Sequence, residues 1–266
     1  MDGRGTPLGV RVALGWLVLI GLLALIAPLL PLPGPLDLDL SSVASPPSGA
    51  HFVGTDELGR DVLARLVSAA GATLVIVSGA TFVSMLIALV LGTAAGLVGG
   101  WVDAAVRLAV DLLWTVPFVV FVVLIVSVVG ISPLSLILTI GVINWVGAAR
   151  VLRGEVAKLR DADFIVAARA RGETPLAILM VDILPSLWNS IAILAAYTAV
   201  EVLTLETGLA FVGLSLPAPR PTWGGMLADG LSYFSTAWWL VASVSIAITA
   251  TLAALQTLAR SLERAA

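Results

Sequence analysis

Apolar residues along this chain fall into blocks of about 20 positions, the length an α-helix needs to cross a bilayer. Shorter polar connections separate the blocks. The pattern predicts six membrane helices, near residues 12–30, 72–98, 106–129, 132–149, 186–207 and 237–259. The predicted fold class is therefore all-α, a polytopic membrane protein with six transmembrane helices.

Composition supports the membrane assignment and excludes several functions. The 266 residues are 59% hydrophobic and 12% charged, whereas soluble domains are about 45–50% apolar and about 25% charged. The few basic residues are scattered, so we expect no nucleic-acid partner. The chain has no cysteine, and His51 is its only histidine, which excludes thiolate chemistry and any Cys/His metal site.

The first apolar block could be a secretory signal peptide, because Arg4 and Arg11 precede it. Its apolar stretch, residues 12–30, is longer than the roughly 7–15 residues of a signal core, and no clear cleavage site follows. We therefore expect an uncleaved first membrane helix.

Basic residues indicate the orientation, since six crossings put both termini on one side. Eleven of the fourteen lysines and arginines fall on that side, against Arg60, Arg65 and Arg220 on the other. An excess of basic residues marks the cytoplasmic side. We expect a multi-pass membrane protein with both termini in the cytoplasm.

Three connections carry most of the polar residues. Residues 31–71 form a proline-rich outer segment, residues 150–185 a cytoplasmic loop and residues 208–236 an outer loop. The predicted organisation is an N-terminal helix with its outer segment over residues 1–71, followed by a five-helix core over residues 72–266.

Small residues and one proline characterise the middle helices. Gly92, Gly96 and Gly100 share one helix face, which predicts close contact with a neighbouring helix. Pro117 lies inside the predicted third helix, where membrane packing is expected to tolerate it.

Three carboxylates lie in or near predicted membrane helices, where an ionised carboxylate costs roughly 2.5–3.5 kcal/mol. Asp111 follows Arg107 by four positions, which predicts an ion pair along the helix. Glu201 has no basic neighbour and is the candidate to line a wet pathway. Glu206 is expected to contact headgroup water or a partner subunit.

Polar and aromatic residues near the helix ends have simpler explanations. Asn144 could hydrogen-bond to another helix, whereas Trp145, Trp238 and Trp239 are expected to anchor at the membrane interface. None of these positions forms a set of nucleophile, base and oxyanion donor, so we expect no catalysis in this chain.

The cytoplasmic loop has an apolar centre that predicts a short exposed helix. Asp161 or Asp163 can cap its start, and Gly172 can end it in a left-handed turn. From the spacing alone, this helix could lie on lipid headgroups or dock another protein, and both readings stay open.

Within this loop, two alanines are followed four positions later by a glycine and twelve residues after that by Leu-Pro. These residues are Ala167, Ala168, Gly172, Leu184 and Pro185. The pattern resembles the EAA motif of bacterial ABC-importer permeases, in the form seen in the dipeptide and oligopeptide (DppC/OppC-like) family. Val166 stands in place of the name-giving glutamate, and Arg171 replaces an apolar residue. Residues 51–65, 99–117 and 206–224 are similar to other segments of the same family, in family order.

The resemblance implies a type I importer (MetI-like) permease fold in the bacterial inner membrane, together with a set of partners. These are a homologous second permease subunit forming a heterodimer, cytoplasmic ABC ATPase subunits, an extracytoplasmic substrate-binding protein and membrane lipid. ATP and Mg would be bound by the ATPase subunits, with no cofactor in this chain. Lys158 is the only lysine and no Gly-x-x-x-x-Gly-Lys-Ser/Thr loop exists, which agrees with that division.

The resemblance also implies roles for particular residues. The ATPase-coupling residues would be Asp163, Phe164, Ala167, Ala168, Arg169, Gly172, Leu184 and Pro185. The position of charged and polar residues in the predicted spans, rather than the resemblance, gives the candidate pathway or inter-helix residues Asp111, Asn144, Glu201 and Glu206. Candidate contacts with the binding protein are Pro219, Pro221, Trp223 and Gly224.

The expected function is ATP-driven import of peptides by alternating access. Permeases for nickel, haem or another small solute belong to the same group and remain alternatives. A proton-driven secondary transporter with Glu201 as relay is a further alternative, as is a membrane enzyme, which would need paired catalytic groups that the sequence does not show.

Overall fold

The computed structural model describes residues 8–217 and 219–264. Within those ranges the regular elements are helical, apart from one isolated bridge between Thr55 and Asp61. The helices are α1 (Leu8–Ile26), α2 (Val62–Val98), α3 (Gly100–Thr115), α4 (Phe118–Val129), α5 (Pro133–Ile143), α6 (Val146–Arg160), α7 (Asp163–Ala170), α8 (Pro175–Ser186), α9 (Trp188–Phe211), α10 (Trp223–Leu231) and α11 (Trp238–Glu263). Arg4, assigned above to the cytoplasmic side, lies outside the described residues.

Four of these helices are long and apolar enough to cross a bilayer singly, namely α1 with the turn that extends it to Leu29, α2, α9 and α11. Two bent pairs are further candidates, because α3 meets α4 at 88° and α5 meets α6 at 43°. Counting each bent pair as one crossing gives up to six spans, which confirms the predicted all-α polytopic fold.

Pro117 separates α3 from α4. It has φ −55° and ψ 131°, an extended conformation at the start of α4. Because proline has no backbone N–H and clashes with the preceding turn, it breaks a helix interior. The prediction of an unbroken third helix through Pro117 is therefore wrong, as is that of an unbroken fourth helix, which is interrupted at Asn144 and Trp145.

Helix α2 begins at Val62 rather than near residue 72, because Asp61 caps it. One carboxylate oxygen of Asp61 accepts a hydrogen bond from the Ala64 N–H at 2.8 Å. At 1.5 Å per residue the helix is about 55 Å long, which exceeds the roughly 30 Å hydrocarbon core. Residues 62–71, which the sequence pattern placed in the outer segment, are therefore part of α2.

Glycines bring α2 and α6 together. A Cβ atom added to Gly92 would lie 2.8 Å from the Ala149 carbonyl oxygen, and one added to Gly96 would lie 2.7 Å from that of Arg153. The predicted close helix contact is confirmed for these two glycines. It does not extend to Gly100, which starts α3 and has open space beside it.

Helix α11 packs against α1, α9 and α10, and Trp239 near its start contacts the outer segment. The indole N–H of Trp239 donates to the Thr55 carbonyl at 3.1 Å. Trp239 is buried whereas Trp238 is exposed. The prediction that Trp239 anchors at the membrane interface is therefore wrong, because its indole is used inside the protein.

Candidate functional site

Helix α7 is the short exposed helix predicted in the cytoplasmic loop. Its N-cap is Ala162, and no side chain caps it. The predicted cap by Asp161 or Asp163 is wrong, because Asp161 instead accepts from the Arg160 guanidinium at 3.2 Å. Asp163 lies in the first turn, where its charge is favourable beside the free backbone N–H groups.

Gly172 ends α7, as predicted. It has φ +82°, in the left-handed region that favours glycine. The Gly172 N–H donates to the Arg169 carbonyl at 2.9 Å, and the Glu173 N–H donates to the Ala168 carbonyl at 3.2 Å. This pair of bonds is the Schellman motif, which turns the chain sharply into α8.

One face of α7 is buried. Ile165 and Ala168 are fully inaccessible and belong to a core cluster with residues of α2, α6 and α8. Ala168 therefore cannot meet a partner protein, although the resemblance assigned it to the coupling set. Of the other assigned residues, Leu184 is half-buried, and the exposed ones are Asp163, Phe164, Ala167, Arg169, Gly172 and Pro185.

Apolar side chains are exposed on α7 and α8. They are Phe164, Val166, Leu176, Met180 and Val181, which we call the α7–α8 surface. Phe164 is 46% exposed and Leu176 is 68% exposed. Sequence reasoning missed the three α8 members, because the sequence alone does not show which side of α8 faces outward.

Charged residues join α3 to α6. The Arg153 guanidinium donates through two nitrogens to the Asp103 carboxylate, one bond measuring 2.9 Å. Arg107 lies 3.2 Å from the same carboxylate. The predicted pair of Arg107 with Asp111 is therefore wrong, and Asp111 instead lies 3.9 Å from Arg150.

Asn144 and Glu201 meet between α5 and α9. The Asn144 amide donates to Glu201 Oε2 at 3.3 Å, so the predicted inter-helix hydrogen bond of Asn144 is present. Glu201 is exposed in this single subunit. Trp145 is only 4% exposed, so the prediction that it anchors at the interface is wrong.

Glu206 lies beneath the outer loop. It is 3% exposed, and neither carboxylate oxygen accepts a hydrogen bond from the described residues. A Cβ atom on Gly224 of α10 would lie 2.9 Å from Glu206 Oε2. The prediction that Glu206 contacts headgroup water or a partner subunit is therefore wrong, because α10 covers it.

The outer loop presents less surface than predicted. Trp223 is 1% exposed, its backbone N–H donates to the Thr73 hydroxyl at 2.9 Å, and its indole donates to the Leu66 carbonyl at 3.0 Å. Gly224 is also buried. Neither residue can contact another protein in this conformation. The remaining candidates are Pro219, which is exposed, and Pro221, which is half-buried.

Comparison with known proteins gives one family. A profile described as "binding-protein-dependent transport system inner membrane component" matches residues 88–265. This stretch includes α3 to α11 and the last turns of α2. It therefore contains the α7–α8 surface, both bent helix pairs and the outer loop.

Similar proteins come from several bacteria. The oligopeptide transport system permease OppC of Bacillus subtilis is 31% identical over 215 residues, or 81% of this chain and 70% of its own length. The nickel transport system permease NikC of Escherichia coli is 32% identical over 224 residues, or 83% of this chain and 80% of its own length. A Brucella suis protein named as a peptide permease is 35% identical over 196 residues, 73% of this chain but only 64% of the relative.

Proposed function

The chain belongs to the family of binding-protein-dependent transport system inner membrane components, and from this premise we propose that it is a permease subunit of an ATP-driven peptide importer. Relatives named for oligopeptide and dipeptide transport support peptides as the cargo. The family assignment leaves no support for the proton-driven transporter considered from the sequence.

The observation that carries the proposal is the α7–α8 surface together with the buried face behind it. Exposed apolar side chains bordered by charged ones are typical of a protein interaction site. A helix lying on lipid headgroups would show the same mixture of apolar and basic residues, so the family assignment is what favours a protein partner here. We infer that a cytoplasmic ATPase subunit docks on this surface, and that it supplies the sites for ATP and Mg.

The packing behind α7 supports transmission of force. Ile165 lies in the same core cluster as Leu152 and Val156 of α6, and α6 contacts α2 through the two glycines described above. Close-packed cores transmit displacement rather than absorb it. A movement of the ATPase would therefore shift α6 and α2 together, which is what transport by alternating access requires.

We place the pathway beside Glu201. An exposed carboxylate in a membrane helix is costly against lipid, so it is expected to face water or a partner subunit. Thr204 and Gly208 continue the exposed stripe of α9 beyond Glu201. We propose that this stripe faces a homologous second permease subunit across the pathway.

The remaining assignments follow from the same proposal. With α7 in the cytoplasm, both termini lie there too, and the outer segment and outer loop face the opposite side. We propose that Pro219 and Pro221 lie in the region that meets a substrate-binding protein, since they are the accessible members of the predicted set.

Purification from native membranes in mild detergent tests the proposal. We expect a second permease, one or more ATPase subunits and a binding protein to co-purify with the chain. A complex without any ATPase would contradict it.

Nickel is the second candidate cargo, because the nickel permease match covers the largest share of a relative among those described. Mass spectrometry of the ligand on the co-purified binding protein distinguishes nickel from peptide as the cargo. Bound peptides would support the proposal, whereas bound nickel without peptide would favour the alternative.

A further inference from the structure

A polar cavity of about 410 Å³ lies between the outer segment and the outer loop. Its volume is within the range of small-molecule sites, roughly 300–1,000 Å³. The charged and aromatic lining residues are Glu57, Arg60, Arg65, Arg220, Asp229 and Tyr233. We call it the outer cavity; it plays no part in the ATPase contact proposed above.

Arg65 is the buried member of the lining. It is only 8% exposed, and its guanidinium donates to the Asp56 carboxylate through Nη1. Its Nε–H is buried and has no acceptor among the described residues. An unpaired buried donor on a charged group is costly. Because this N–H is closed to solvent, a ligand in the cavity would reach the guanidinium through Nη2, which also has no acceptor among the described residues.

Asp56 holds Arg65 in place and cannot supply the missing acceptor. One oxygen of Asp56 accepts from the backbone N–H groups of Leu58 and Arg60, both at 2.9 Å. The other accepts from Arg60 Nε at 2.7 Å as well as from Arg65. With its carboxylate fully engaged, Asp56 fixes the Arg65 guanidinium before any ligand arrives.

The three arginines of the cavity differ in their free donors. Arg60 uses Nε on Asp56 and Nη2 on Glu57, each at 2.7 Å. Arg220 is exposed and forms no ion pair with any residue between 8 and 264 that the structure describes. Arg60 and Arg65 both pair with Asp56, so Arg220 is the arginine among these three without an ion pair to a described residue, and Arg65 contributes its unbonded Nη2.

Asp229 adds the opposite charge. It is exposed on α10, lines the same cavity, and likewise has no ion pair within the described part of the chain. The cavity thus offers guanidinium donors and a separate carboxylate. A ligand that carries both a carboxylate and an ammonium group complements this lining.

We propose that the outer cavity binds a short peptide by its free C-terminal carboxylate, with Arg65 and Arg220 as the donors. A guanidinium can donate two parallel hydrogen bonds to one carboxylate, which gives strong and directional recognition. The inference rests on the proposed function, because it takes peptide as the cargo.

Two features favour a peptide over an acidic side chain of a docked protein. Arg65 lies below the surface, so a ligand must enter the cavity to reach its Nη2. Asp229 would repel an acidic protein surface but attract the ammonium group of a peptide. The site would hold the peptide after its release and before it passes through the membrane.

Equilibrium dialysis tests this site. It uses the membrane complex of both permeases and the ATPase subunits in lipid nanodiscs, without the binding protein. The probes are radiolabelled trialanine and trialanine amide, which differ only at the C-terminal group. We expect trialanine to bind about tenfold more tightly, the factor that corresponds to about 1.4 kcal/mol. Equal binding of the two probes would overturn the proposal.

Variants identify the donors. Arg220→Gln is expected to weaken binding of trialanine about tenfold without changing binding of trialanine amide. Arg220→Lys should retain most of the preference for trialanine over the amide. Arg65→Lys keeps a cation beside Asp56 but lacks the second donor, so it should also lose the preference. Equal weakening of both probes, or no change in either, would contradict the assignment.

Two further measurements distinguish failure of this inference from failure of the proposed function. Uptake of trialanine by the complex with its binding protein tests the proposed function, so uptake without carboxylate-dependent binding would overturn only this inference. No uptake of any peptide would overturn the proposed function itself. If Arg220→Gln instead weakened docking of the binding protein and left trialanine binding unchanged, the cavity would be a docking site and the proposal would be wrong.

Discussion

A methyl group on Gly96 would lie 2.7 Å from the carbonyl oxygen of Arg153, so α2 and α6 meet there backbone to backbone. Arg153 is also the residue whose guanidinium holds Asp103 of α3. One short stretch of α6 thus fixes three helices, and the same helix leads into α7. We call this contact of α6 with α2 and α3 the junction, and we propose that it connects α7 rigidly to the membrane helices.

Substitution of the junction glycines should destabilise the protein. Gly92→Ala or Gly96→Ala forces the helices apart and is expected to cost about 1–3 kcal/mol. The thermal unfolding midpoint in detergent should fall. Gly147→Ala is the matched control, because Gly147 lies in α6 with nothing near its Cβ position. A similar loss in both kinds of variant would contradict the close contact.

The Asp103–Arg153 pair should contribute to stability through mutual contact. We expect Asp103→Ala and Arg153→Ala each to lower the unfolding midpoint. The double variant should lose less than the sum of the two, by about 0.5–3 kcal/mol. Additive losses in this cycle would mean that the two side chains act independently. Asp161→Ala serves as control, because Asp161 is an exposed partner of Arg160.

Gly172 should tolerate only residues that adopt a left-handed conformation. Nothing lies within 4 Å of its Cβ position, so backbone conformation rather than space decides the outcome. Gly172→Val should cost about 1–2 kcal/mol and abolish stimulation of the ATPase, whereas Gly172→Asn should retain most of the stimulation. The ATPase rate of the reconstituted complex measures both. Unchanged coupling in Gly172→Val would contradict the role of this turn.

Phe164 should be needed for assembly with the ATPase but not for folding. It is 46% exposed on the α7–α8 surface, so Phe164→Asp places a charge where the proposed interface is apolar. We expect the ATPase subunit to be lost on purification while the unfolding midpoint stays unchanged. Phe52→Asp changes a phenylalanine in the outer segment that is even more exposed, at 70%, and should leave the ATPase bound. Loss in both variants would argue against a specific surface.

The sequence predicted the helices better than their breaks and burial. Apolar block length located the spans because it depends only on bilayer thickness. The bend at Pro117 was not predicted, because a proline in a membrane helix can be accommodated or can break the helix, depending on its neighbours. The early start of α2 could have been found, since Asp61 stands directly before an apolar run.

Side-chain roles were harder to predict where tertiary contacts decide them. Trp145 was expected at the membrane interface from its position near a helix end, and Trp223 was expected to contact the binding protein from the family resemblance. Both are buried in the folded chain. Ala168 belonged to the motif that carried the family resemblance, but its side chain faces the core. A motif locates a functional helix without showing which residues face outward, because that depends on the packing of α7 against its neighbours.

Reconstitution into liposomes tests the central claim most directly. Uptake of radiolabelled peptide against its gradient is measured for the chain alone, and for the chain with the second permease, the ATPase subunits, the binding protein and ATP. The account predicts accumulation only in the complete system, and its loss when Phe164→Asp replaces the wild-type chain. Uphill uptake by the isolated chain, without any ATPase, would contradict it.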